Sequence, residues 1–325
     1  MHFGIDVPDG RVYDAVGFGL NAVDHLCVVS EFPTPDTKPR VDRFARSPGG
    51  QAASAMVVLS RLGYRSRYVG KVGSDEIGRF SLKSIESEGV DVSSVKVVEG
   101  VTNQLAMIIV DTGRGERTIL WHRPDEIATL PSEVDGDVVG SGRVLLVDGH
   151  DARAAARAAD LARERGTLVV MDAESVKKGT RELVEKVDVL LASRDFPANL
   201  TGETNLDRAF DAIRAMGPRV VGVTLGRLGS IVMVPDGSVH GGPAYDVDVV
   251  DTTGAGDVYH GAFIAGLLEG WSVERTVDFA NAAAALNCTG LGARAAPTCK
   301  TDVDEMMKRR RSSCSLQGAR GALDD

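Results

Sequence analysis

Through most of the 325-residue chain, short β-branched runs alternate with segments of helical period. The runs "AVGFGL", "RYVGKV", "RVLLVD", "TLVVMD", "VDVLLA" and "RVVGVTL" have strand length, and stretches such as "DARAAARAADLARERG" separate them. Parallel neighbours need a crossover and a helix supplies it, so the alternation predicts a mostly parallel sheet covered by helices on both faces, a doubly wound α/β fold. Two stretches break the pattern. Residues 39–46, "PRVDRFAR", and residues 102–121, "TNQLAMIIVDTGRGERTILW", look extended, the second as a pair of strands joined by a Gly-containing turn. They predict a small antiparallel sheet, a lid over the carboxyl ends of the parallel strands, where ligands of open α/β sheets bind. With 43% apolar residues the chain can build one large core. Residues 1–310 are therefore expected to form one domain with its lid, and 311–325 a flexible tail, "SSCSLQGARGALDD" being small, polar and finally acidic.

Charge and cysteine usage narrow the function. A formal net charge of −9 argues against a nucleic-acid surface, so an anionic ligand would have to be held locally. The four cysteines, Cys27, Cys288, Cys299 and Cys314, have no CxxC spacing and no paired histidines, which points to a reducing compartment rather than to disulfides or structural zinc. No apolar run approaches the ~20 residues needed to cross a bilayer, and the first residues lack a signal-peptide pattern. The cytoplasm is the expected location, with neither membrane nor nucleic acid as a partner.

Chemistry concentrates in "VDTTGAGDVYHGAF", residues 250–263. Gly254, Ala255 and Gly256 lie on a bend before an apolar helix, where backbone amides without intrahelical partners attract anions. Asp257 would stand beside that anion, although acids at helix starts also serve as simple caps. The helix dipole would lower its pKa and a bound phosphate would raise it, so no net shift is expected. "GFGLNA", Gly17 to Ala22, fits a dinucleotide fingerprint, but the helix which that motif requires is replaced by the extended "VDHLCVVSEFPTP". What remains is a strand ending near Asn21 and Asp24, two polar residues where a pocket should open. In "SPGGQAASAMVVLSRLG", Gly49 and Gly50 precede a helix whose Gln51 and Ser54 share the first-turn face. "VGVTLGRLGS" predicts a strand, a turn and a strand, and "FANAAAALNCTGLGA" a helix of small residues ending in glycines.

Together these segments resemble the ribokinase or pfkB family of carbohydrate kinases from about residue 14 to residue 310, carried by "GGQAASAMVVLSRLG" and "DTTGAGD" in that order. The resemblance implies a Rossmann-like α/β domain with a β-sheet lid, and transfer of the terminal phosphoryl group of ATP to a hydroxyl, usually primary, of a sugar or nucleoside. It gives Asp257 as catalytic base and the amides of Gly254, Ala255 and Gly256 as anion hole. It puts Ser193, Thr224, Gly226, Gly229 and Asn281 at the nucleotide. At the sugar it puts Asp24, Gly49, Gly50, Gln51 and Ser54, with Asp148 and His150. Asp251 and Thr253, with carbonyls near Asn287, Gly290 and Gly292, resemble the monovalent-cation site of several members, so K+ joins ATP and Mg2+ among the expected cofactors. A homodimer through the lid is expected as well.

The pattern also departs from the family's. Many members carry N-x-x-E to order the magnesium waters, and here that stretch is "SRDF", Ser193 to Phe196. Magnesium would then depend on the ATP phosphates and on acids such as Asp172, Glu174 or Asp195. Ketohexokinases are similar in lacking the motif and in "GLNAVD" and "RTILWH", but carry asparagines where this chain has Gln51 and Ser54. Sulfofructose kinases resemble its "VDVVDTTGAGDVYHGA" and "ALNCTGLGARA", yet His150 stands where an arginine holds their sulfonate, which leaves Arg123 or Arg153 to compensate. The expected activity is an ATP-dependent kinase of a ketose-like sugar. A sulfonated ketose, a nucleoside, and a sugar-binding regulator without catalysis remain the alternatives.

Overall fold

From β1 (Tyr13–Phe18) the chain leaves the main sheet at once for β2 (Ala22–Val29) and β3 (Arg43–Gly49), and it returns after a helix as β4 (Ser66–Val69) on the other side of β1. β5 (Lys71–Gly73) and β6 (Lys96–Val98) form a separate parallel pair, and β7 (Leu105–Asp111) and β8 (Glu116–His122) rejoin β2. β9 (Gly142–Asp148), β10 (Leu168–Ala173), β11 (Val189–Ser193) and β12 (Val220–Thr224) then add to β1 in parallel, and β13 (Ser230–Met233) and β14 (Val239–Gly242) close the edge as antiparallel strands. The main sheet therefore has eight strands in the order β14-β13-β12-β11-β10-β9-β1-β4. The computed structural model describes residues 2–114, 116–295 and 299–309, so the expected flexible tail at 311–325 lies outside the described residues. No helix among the described residues is long and apolar enough to cross a membrane.

The parallel strands are apolar on both faces because both faces are covered. On β9, Val144 and Leu146 enter one apolar layer with the helices Gln51–Arg61 and Ala255–Leu268, while Leu145 and Val147 enter the opposite layer with the alanine face of the helix Ala152–Glu164. Residues on a strand alternate between faces, so a two-sided core erases the polar alternation and leaves the continuous runs seen in the sequence. Strand order reverses between β1 and β9, which opens a crevice at their carboxyl ends, beside Gly19 and Asp148.

A second, four-stranded sheet in the order β3-β2-β7-β8 forms the lid. The strand expected at 39–46 runs over Arg43–Gly49, and the pair expected at 102–121 is β7 and β8. The centre of the lid is β2, antiparallel to β3 and parallel to β7. Its register puts Asp24 opposite Ser47 and Ala106. On that face Leu26, Ala106 and Ile108 pack with Leu291, while Phe44, Met107 and Leu120 are exposed on the other. Arg117 of β8 donates to the Thr252 hydroxyl, so the lid already touches the bend that precedes Asp257.

Candidate active site

Gly254 adopts a left-handed φ of 73° and caps the helix Ala255–Leu268. A Cβ there would lie 2.4 Å from the Ala293 carbonyl oxygen, so only glycine lets the chain turn and present the first amides of the helix. At Gly256 a Cβ would meet nothing within 4 Å, and that peptide faces open space. Asp257 follows in the first turn. Burial pushes its carboxyl up to about 7, helped by the charge of Asp172 and opposed by His260. The neutral expectation is corrected: loss of water outweighs the helix dipole.

Behind Asp257 lies a pair the sequence did not single out as a unit. His260, one turn further along the helix, has Nδ1 2.6 Å from the Gly256 carbonyl oxygen and 3.4 Å from Asp172 Oδ2, and Nε2 3.3 Å from the Leu191 carbonyl oxygen. Burial pushes this imidazole down and the Asp172 carboxyl well up, so both groups are driven toward their neutral forms. Gln51, at the start of the glycine-led helix, acts on the Asp172 carboxyl and opposes its rise. Asp172 is 4% exposed, and among the described residues its Oδ2 has no hydrogen-bond partner. Glu174 and Asp195 are exposed. Among the described residues no group of three or more His, Cys, Asp or Glu side chains gathers to hold a metal.

The acceptor side is built on the first glycine motif. Gly50 has φ 94°, and a Cβ on it would lie 2.6 Å from the Asn21 Cα, so the two backbones meet where the pocket was expected. Gly49 lies against the Asp24 carboxylate, which burial raises to about 6 while Arg294 pulls it down. Two expected sugar contacts are otherwise engaged. Ser54 is fully buried and its hydroxyl accepts from Arg294 Nε at 3.0 Å. Asp148 is 1% exposed and accepts the Leu20 and His150 backbone amides at 2.5 and 3.1 Å, so it fixes the β1 and β9 corners. His150 is half-buried, with Nδ1 3.4 Å from Lys177 Nζ, and burial lowers its pKa. Arg123 forms a bidentate pair with Asp151 at 2.8 Å on both nitrogens, and Arg153 is exposed.

A cleft of about 710 Å³ opens on the other side of the bend, and Thr224, Gly226, Gly229, Asn281, Ala255 and Gly256 all line it. Its walls are largely apolar, with Tyr245, Val247, Val249, Ala284 and Ala285 among them, which suits a flat base. Asn281, expected to contact the nucleotide, spends its amide inside the protein: Nδ2 donates to the Gly242 carbonyl at 2.9 Å and Oδ1 accepts from Ser230 at 3.0 Å. Ser193 lies next to Thr224 across β11 and β12, but its hydroxyl donates to the Glu174 carbonyl. Asp251, Thr253, Asn287, Gly290 and Gly292 do meet at one junction. There Asp251 accepts from Thr253 and Gly292, and Asn287 Nδ2 donates to the Thr253 carbonyl at 3.0 Å.

Arg294 is the functional candidate that sequence reasoning passed over. It is 7% exposed, donates to Ser54, Ser84 and the Gly49 carbonyl, and its charge bears on Asp24 and Asp257. Its signal was an arginine inside a stretch of small residues, "GLGARAA".

Most of the chain is similar to known proteins. The pattern that describes the pfkB family carbohydrate kinases matches residues 14–299. An ATP-dependent ribose-1-phosphate kinase of Halopiger xanaduensis is 34% identical, over 83% of this chain and 90% of the relative. A 5-dehydro-2-deoxygluconokinase of Clostridium beijerinckii is 28% identical, over 85% of this chain and 87% of its own. Among solved structures, adenosine kinase from Sinorhizobium meliloti superposes with a TM-score of 0.76 at 26% identity, covering 88% of this chain and 97% of that one.

Proposed function

The chain belongs to the pfkB family of carbohydrate kinases, ATP-dependent phosphotransferases, and from that premise we propose that it phosphorylates a hydroxyl, usually primary, of a neutral, ketose-like sugar. One observation carries the reading. Ala255 and Gly256 line the nucleotide cleft, and Asp257 is the next residue, so one helix start borders the donor and bears a base. Phosphoryl transfer relies on positioning and charge stabilisation. In this reading Asp257 accepts the proton of the sugar hydroxyl, whose oxygen bonds to the terminal phosphorus of ATP. The bond from that phosphorus to the bridging oxygen breaks, ADP leaves, and the Gly254, Ala255 and Gly256 amides hold the charge on the transferred oxygens. Magnesium enters with the phosphates of ATP, and K+ would sit at the junction of Asp251, Thr253, Asn287, Gly290 and Gly292.

Electrostatics favour a neutral acceptor. Arg123 is matched by Asp151 and Lys71 by Glu133, while burial disfavours a charge on His150. Asp24 and Asp257 add carboxyl groups beside the acceptor, opposed by the charge of Arg294. The alternative is a phosphorylated pentose, which the ribose-1-phosphate kinase likeness favours, as does Arg294, whose hydrogen bonds go to hydroxyls and a carbonyl rather than to a carboxylate. The protein would work in the cytoplasm, where ATP is supplied. The exposed Phe44, Met107 and Leu120 of the lid suit burial against a second copy in a homodimer. ADP release with D-fructose, D-ribose, ribose 1-phosphate, a sulfonated ketose and adenosine tests the reading. A neutral sugar should give the highest kcat/KM, and a higher value for either anion or for adenosine would overturn it.

A further inference from the structure

Among the described residues, five buried side-chain polar atoms have no hydrogen-bond partner, and three of them, Asn21 Nδ2, Gln104 Oε1 and Arg123 Nε, line one small cavity beneath the lid. Buried polar groups are almost always paired, so three orphans around one space call for a common occupant. Asn21 and Gln104 are 3% and 5% exposed, so bulk water does not satisfy them. The cavity measures about 10 Å³, room for a single oxygen atom.

The charges around it are already balanced. Both terminal nitrogens of Arg123 lie 2.8 Å from the Asp151 carboxylate, and Lys71 Nζ reaches Glu133 at 2.6 Å and the Ala128 carbonyl at 2.9 Å. What is left is two donor nitrogens, carrying three N–H groups between them, and one carbonyl acceptor, with no net charge. A hydroxyl fits that set, since its oxygen accepts two hydrogen bonds and its hydrogen donates one. An anion or a carbonyl would leave Gln104 Oε1 unpaired, and a water would keep one hydrogen without an acceptor. The position also fits a sugar: Asn21 backs onto Gly50 and precedes Asp24 by three residues, and Asp151 directly follows His150.

We propose that Asn21, Gln104 and Arg123 Nε form a subsite for one hydroxyl of the acceptor, distinct from the hydroxyl that is phosphorylated. The subsite rests on the sugar-kinase reading and makes it more specific, by requiring a polyol with a hydroxyl at that place.

A cycle of substrates and variants tests it. D-fructose, D-ribose and their monodeoxy analogues are assayed with the wild type, Asn21→Leu and Gln104→Leu, with thermal melting to confirm that each variant folds and Gln104→Met as a milder second change. In the wild type, loss of one non-reacting hydroxyl should lower kcat/KM by roughly a hundredfold or more, because a site built for a hydroxyl rejects analogues without it. In the variants that parent-to-deoxy ratio should collapse toward one, with KM for ATP unchanged. Ratios equal to wild type for every analogue would overturn the subsite and leave the cavity to water. Calorimetric binding of the same sugars runs the cycle on Kd. Binding without turnover would then refute the kinase reading while still deciding the subsite, and no binding at all would overturn both.

Discussion

Replacing Asp257 by asparagine should stabilise the protein, by an amount that grows as pH rises from about 4 and is complete above about 7. In the folded chain burial first, and then the charge of Asp172, raise this carboxyl from its ordinary 3.8 to about 7. The native state therefore holds the proton more tightly than the unfolded chain does. The sign follows from linkage: the favourable contribution is complete below about 4 and is lost as pH rises through about 7. The gap between 3.8 and about 7 corresponds to at most about 4 kcal/mol, a ceiling because the side chain is only half-buried. Asparagine keeps the shape and removes the charge. At pH 8 the variant should melt several degrees above wild type, at about 2–4 °C per kcal/mol for a domain of this size class, and at pH 4 the two should coincide. Melting curves from pH 4 to 9 measure the difference directly. A difference that does not change with pH would refute a raised carboxyl at this position, and a variant less stable at pH 8 would refute the idea that the buried charge is costly.

The same raised carboxyl predicts an acid limb in the pH profile of kcat/KM near pH 7, with the rate falling about tenfold per pH unit below it because the ionised base is lost; a limb near pH 4 would contradict this. Gly256→Val should fold, since a Cβ at that position meets nothing within 4 Å, yet it would project toward the cleft, raising KM for ATP and lowering kcat by roughly a hundredfold. Normal kinetics in that variant would remove Gly256 from the anion hole. Amide exchange in β3, β7 and β8 should slow when the acceptor is added, because a lid must keep water from the transferring phosphate. Unchanged exchange in a protein that binds its acceptor would count against closure.

The fold was legible where the signal was local. The apolar runs of β9 to β12 and the alanine face of Ala152–Glu164 announced a two-sided core, and the glycines at 49, 50, 254 and 256 marked the two helix starts. Pairing was less legible, since β2 is extended in sequence terms but becomes the centre of the lid only by meeting β3 and β7, far along the chain. The site divides in the same way. Residue type and spacing found the Asp257 bend and brought Asp24, Gly50 and Gln51 to one region. They did not reveal that Ser54 is taken by Arg294, that Asn281 is taken by Ser230 and Gly242, or that Asp148 holds backbone amides, because each of those partners arrives from a distant element. The His260 and Asp172 pair was hidden for the same reason, one member coming from the helix Ala255–Leu268 and the other from β10.

The central claim is that Asp257 takes the acceptor's proton beside an anion hole that holds the transferring phosphate. The most direct test is turnover by Asp257→Asn, measured as ADP release at saturating ATP and acceptor, with ATP affinity determined by calorimetry on the same preparation. Loss of a general base costs ~10² to 10⁴ in rate, so kcat should fall by that much while the Kd for ATP stays within a few-fold of wild type. A variant that keeps kcat within about tenfold of wild type, short of even the smallest cost of losing a base, would contradict the assignment.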